Sequence, residues 1–470
     1  MNENKESAFS FDDIRYLAVA LPDDVNAYKF SGDFDGEIRC IDALLQKELP
    51  RALRKRLFWE RSIAVVMRED YGTDRNTMLS LLQHTYPGLK PEIIDVLIAS
   101  GHADYILRHG EPWFQDDACA NLLNECGNLM RKSVDPSFVP EAPGRDDYRY
   151  AVIAEMKEKG SMARRYRVKI TLRPDETVPE IAARTGETVT VHLPVAAHSL
   201  SQSDIVIEGT SHPAYLSESA QRTVCMTAPY VPGEDFSVEF SYTNTAVYHA
   251  LSPELVTPDQ SSLPDFPREY LDEQYPHIRF TPFLRELAEE IADGETNPLL
   301  KARKVYDYIT SHIHYSYMRS YLALDNIPEF ALLNGRGDCG VQALCFITLC
   351  RILGVPAKWE SGHSVRKGHI GPHDWAMFYV APWGWLHADP SYGGGAFQSG
   401  KTEIWDYYFG NFDPYRDVTC TEFQTEFDPP KRFMRIDPYD SQKGEIEFED
   451  RGLHDWELIS SRRVLDYQEL

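Results

Sequence analysis

The chain lacks most of what would mark an exported, membrane or nucleic-acid-binding protein. Its opening residues, MNENKESAFSFDD, hold no basic patch followed by an apolar run, and nowhere do about 18 apolar residues stand together. A soluble, cytoplasmic protein is expected. Positive charge is scarce, with 48 Lys and Arg against 73 Asp and Glu, a formal net charge of −25. Such a surface repels phosphate backbones, so neither nucleic acid nor an anionic membrane is an expected partner. The eight cysteines include no CxxC pair and no dense framework, and they read as reduced thiols. No repeat of fixed period is visible. No EF-hand loop is present either, so calcium is not expected.

What is present suffices for several cores. Of 470 residues, 43% are apolar and 12% aromatic, and the length suggests about three domains. Residues 1–132 carry apolar side chains at helical spacing, as in TDRNTMLSLLQHTYPG, where Thr73 or Asp74 would cap a helix and Gly88 would stop it. Residues 133–147, rich in proline and acid, form a linker. From 148 to 250 the period becomes two: Tyr166, Val168, Ile170 and Leu172 alternate with polar residues, as do Phe236, Val238, Phe240 and Tyr242. This pattern with Gly and Pro turns predicts a β-sandwich, a structural or docking module. A second proline-rich linker covers 251–269. Two helices then lead into a domain at 270–430, and 431–470 is a C-terminal tail with short β elements that would cover an edge of that domain.

The chemistry concentrates between Gly335 and Gly395. Asp338 is a good N-cap, and Cys339 to Leu353 is apolar on nearly every face, so Cys339 sits at the positive end of a buried helix. That position lowers a thiol pKa and offers backbone N–H groups to an oxyanion. Cys345 and Cys350 lie deeper and read as packing. His373 opens the strand WAMFYVAP, and WLHADP gives a second strand ending at Asp389, 16 residues after His373. An antiparallel hairpin of that length brings His373 and Asp389 together, so the carboxylate can fix the imidazole tautomer.

The stretches DCGVQALCFITLCRILGVPAKWESG, HDWAMFYV and WGWLHADPSYGG, in this order, resemble the bacterial branch of the transglutaminase-like superfamily. FGNFDPYR, Phe409 to Arg416, resembles a downstream element of that branch. The resemblance implies an α+β multidomain chain with a papain-like transglutaminase core after the helical and sandwich domains. It implies Cys339 as nucleophile, His373 as base and Asp389 as orienting group, with Trp375 beside the histidine. The oxyanion helper is not pinned by a motif. Tyr315 is the candidate, with Tyr308, Tyr317 and Tyr321 as competitors. A cysteine peptidase or amidase acting on a peptide or protein is the expected activity. A transglutaminase or deamidase with the same triad, or a non-catalytic scaffold, stays open. No cofactor is implied, and the oligomeric state is not readable.

Three other patterns compete. GAFQSGKT, Gly395 to Thr402, matches the phosphate-loop pattern but lacks the strand that should lead into it. His363, His369, His373 and His387 lie near Asp389, yet follow no i, i+4 spacing, so no metal is expected; SGHSVRKGHIGPH reads as a mobile loop with solvated His363 and His369. A second HDW at His454 lies in the tail, without a following strand of the right kind.

Overall fold

A computed structural model describes residues 10–140 and 147–470; the middle of the 133–147 linker and the first nine residues lie outside them. The molecule is mixed α/β. Helices dominate the first part, and Asp74 caps one of them by accepting from the Thr77 N–H at 2.7 Å. The region is not purely helical, however. Tyr105–Arg108 and Glu111–Phe114 form a hairpin, and Thr73–Asp74 pairs with its second strand. His109 and Gly110 make the turn, with φ of 52° and 87°. Two consecutive positive φ values match the twist of a two-residue hairpin, and helical periodicity hides so short a ladder.

The helical region also divides in two. Met78, Leu82, Ile94, Leu122 and Met130 enclose a core of their own. By contrast Ile14, Leu17, Trp59, Ile63 and Met67 share one continuous core with residues from Ile278 to Tyr439.

A helix, Arg149–Lys159, precedes the β region. Strands β1 (Ser161–Pro174), β2 (Thr188–Pro194), β3 (Gln202–Thr210), β4 (Ala214–Leu216), β5 (Thr223–Pro229) and β6 (Phe236–Val247) follow. The core sheet then comprises β7 (Ala357–Arg366), β8 (His369–Val380), β9 (Gly384–Ala388) and β10 (Arg416–Cys420). The tail supplies β11 (Glu445–Phe448) and β12 (Leu458–Glu469). Those two strands complete the β region: one sheet runs β12-β1-β6-β3 and the other β11-β2-β5-β4. Tyr166, Val168 and Phe240 from one sheet and Val189, Val191 and Ile446 from the other share a core. The tail strands thus pair with β1 and β2, not with the edge of the core sheet. Alternating apolar residues in Glu445–Phe448 can be seen in the sequence, but partners as far upstream as β1 and β2 cannot.

The core sheet is antiparallel in the order β9-β8-β7-β10. Helices α1 (Pro298–His312) and α2 (Cys339–Ile352) pack together against it. Every side chain of α2 from Cys339 to Arg351 is buried. The segment expected as a mobile histidine loop is instead the β7–β8 hairpin, turning at Gly368 with φ 74°. His363 is fully buried there, bonded to Asp417 and to the Gln442 carbonyl, each at 3.0 Å. Those partners lie far away in sequence, so local composition could not reveal them.

Candidate active site

Helix α2 begins where its sequence requires. The Asp338 side chain accepts from the Val341 N–H at 3.0 Å, which satisfies one of the free donors of the first turn. Gly340 follows Cys339 because nothing larger fits: a Cβ there would run into the Tyr321 hydroxyl and Asp374 Oδ2. Cys339 itself is 9% exposed. Burial, then the charges of Asp374 and Asp338, push its thiol well above the ordinary range.

The histidine and the aspartate meet. His373 Nε2 lies 2.7 Å from Asp389 Oδ2. Asp389 follows β9 and caps α3 (Pro390–Gln398), where its Oδ1 accepts from the Tyr392 N–H at 2.9 Å. Arg416, wholly buried, places Nη1 at 2.9 Å from the same Oδ2 and Nη2 at 3.2 Å from Asp413. Burial alone would raise the Asp389 pKa, but His373 and Arg416 outweigh it and hold the carboxyl well below its usual range. An ionised Asp389 only accepts, so His373 Nε2 carries the proton of this bond. The imidazole stacks on Tyr392 at 4.3 Å between centroids and lies 5.8 Å from Trp375, whose Nε1–H donates to Glu360 at 2.8 Å.

The cysteine points elsewhere. Among the described residues its sulfur hydrogen-bonds to Asp374 Oδ2, at 3.5 Å, and not to His373. Asp374 is held in turn by the Gln442 amide, which also donates to the His373 carbonyl at 3.3 Å. Of the tyrosines, Tyr321 brings its hydroxyl to Asp338 and lies against Gly340. Tyr315 is 37% exposed, pairs beside Gly337 and stands within electrostatic reach of Cys339. Tyr308 stacks on His312 and Tyr317 contacts Tyr315.

Residues 285–390 match the transglutaminase-like superfamily, a span that holds Cys339, His373 and Asp389. Over this segment the chain is similar to that superfamily. No curated protein matches the chain. Among solved structures it is similar to a candidate cysteine protease from Cytophaga hutchinsonii, at 16% identity and TM-score 0.43, covering 66% of this chain and 91% of that one. It is also similar to the periplasmic domain of TgpA from Pseudomonas aeruginosa, at 15% identity and TM-score 0.27, covering 57% and 99%.

Arg416, Asp374 and Gln442 join the transglutaminase-like core's site without having been expected there. Arg416 had a visible signal, being a basic residue at the end of FGNFDPYR with Asp413 three positions before it. Asp374 stood beside His373 in HDW, on the opposite face of its strand. Gln442 had no signal, because only the fold brings the tail to this place. Gly395 lies inside α3, so GAFQSGKT begins as the last turn of a helix rather than as a loop after a strand. His387 stacks on Phe412 at 3.8 Å. The second HDW forms a short turn in which His454 stacks on Trp456. A cavity of about 430 Å³ lined by Thr257, Asn297 and Tyr379 opens at the other end of β8 from His373.

Proposed function

We propose that this protein is a thiol-dependent acyl-transfer enzyme, a cysteine peptidase or amidase acting on a peptide or protein. The observation that supports it most is the 2.7 Å bond from His373 to Asp389, buttressed by Arg416. That bond orients His373 through Nε2, on a strand packed beside the helix that starts with Cys339. In this reading the Cys339 S–H turns from Asp374 to His373, Nδ1 takes its proton and the thiolate attacks the carbonyl carbon. A tetrahedral oxyanion forms, held by backbone N–H groups at the start of α2, with Tyr315 and Trp375 lining the site. The intermediate collapses as His373 returns its proton to the leaving amine. Water, activated by His373, then cleaves the thioester and releases the acid. The helical domain and the β-sandwich serve as structural or docking modules around this cytoplasmic enzyme.

The same residues would run amine transfer, with a primary amine replacing water in the last step. Incubation of wild type, Cys339→Ala and His373→Ala with a peptide library and hydroxylamine tests the reading, because hydroxylamine converts a thioester into a hydroxamate. Hydroxamates from wild type alone support it, and their absence from all three leaves a binding scaffold. Adding a primary amine then separates hydrolysis from transfer by the mass of the product.

A further inference from the structure

The strand that carries His373 also carries a carboxyl, Asp374, for which the reaction above has no use. Successive strand side chains take opposite faces, so Asp374 turns to the face where Ala376 and Phe378 pack with α2. There its Oδ2 meets the Cys339 thiol at 3.5 Å, and its backbone N–H is also directed at the sulfur. The Gln442 amide holds its other oxygen.

The surroundings of this carboxyl are acidic. Asp338 faces it from the start of α2, Asp437 and Asp440 from the tail, and the Tyr321 phenol from the turn Tyr321–Ala323. Arg435, a cation near Asp437 and Asp440, is committed to Glu445 at 3.1 Å. Burial, followed by Asp440, Asp338 and Asp437, holds the Asp374 carboxyl well above the usual carboxylate range. A carboxyl in such a place is a neutral acid, with a proton to donate.

We propose that Asp374 is a further catalytic residue, a carboxylic acid that accepts from the Cys339 thiol at rest and donates to the thiolate during turnover. The proposal rests on Cys339 being the nucleophile. The sulfur's proton passes to His373 Nδ1; Asp374 keeps its own proton and turns it toward the sulfur, and no bond between heavy atoms changes. Once ionised, the same carboxyl opposes the thiolate.

The test is the pH profile of Cys339 alkylation by iodoacetamide, read by mass spectrometry of the peptide that contains it. Wild type should lose reactivity on the alkaline side as Asp374 ionises. Asp374→Asn cannot ionise and keeps a donor, so it should continue to rise, to about tenfold above wild type at the alkaline end. Superimposed profiles overturn the proposal. His373→Ala reports on the nucleophile reading separately: if it leaves the profile unmoved, His373 is not the base, whatever Asp374 does. Should Asp374→Asn fail to fold, Gln442→Ala decides. Loss of that donor disfavours the ionised carboxyl, so the alkaline decline should move to higher pH, and a fixed decline overturns the proposal.

Discussion

The two faces of one strand treat carboxyl groups in opposite ways. Beyond His373, Asp389 lies between an imidazole and the buried Arg416 guanidinium and stays ionised. Beyond Asp374, four carboxyls share a pocket whose nearby guanidinium is bonded to Glu445, and Asp338, Asp374 and Asp437 are all raised. Burial acts alike on both faces. The difference is the partner, which decides whether a buried acid is a fixed charge or a proton store.

The sharpest way to break the contrast is Asp389→Asn. An amide there can present its carbonyl or its N–H to His373, so the tautomer is no longer fixed, and turnover should fall by about 10⁴-fold with the chain still folded. Steady-state rates on any substrate found in the hydroxylamine screen would check it. Next in size is Arg416→Met, which leaves Asp389 and Asp413 buried without their cation. Breaking such a pair costs about 3–5 kcal/mol, measurable as a lower urea midpoint. Gly340→Ala strikes the other face. The added methyl must displace the Tyr321 hydroxyl and Asp374, at about 1–3 kcal/mol, and it should change the alkylation rate of Cys339 as well.

The smallest effect separates the faces by pH. The folded Asp338 pKa is about 6, above its unfolded value, so its contribution is fully present below about pH 4 and is lost as pH rises through 6. Asp389 has the opposite sign: its stabilisation is present above its unfolded pKa and is lost only as pH falls through its depressed folded value. Between about pH 7 and 5, therefore, acidification should favour the wild-type fold through Asp338. Asp338→Asn keeps a good N-cap and should lose about 1 kcal/mol of that pH-dependent gain, seen as a flatter plot of melting temperature against pH.

These contrasts also mark what the sequence can disclose. The cap at Asp338, the buried helix and the meeting of His373 with Asp389 are local or one hairpin apart, where periodicity and turn length govern geometry. Arg416 and Gln442 reach the site through pairings that span much of the chain, and no local pattern encodes those. The strand face of Asp374 was readable once β8 was placed, but what occupied that face was not. The hairpin at His109 and the division of the first helices between two cores depend likewise on tertiary packing.

Strand β12 closes its sheet against β1, and Arg164 bonds Tyr467 from 303 residues away. Gln442, which pins Asp374, lies in the same late stretch. On the ribosome, then, the surroundings of Cys339 stay unfinished until residue 442 has emerged. Stalled chains ending before Lys431 should accordingly show Cys339 as open to alkylation as an ordinary unfolded thiol; protection equal to that of the full chain would disprove the delay.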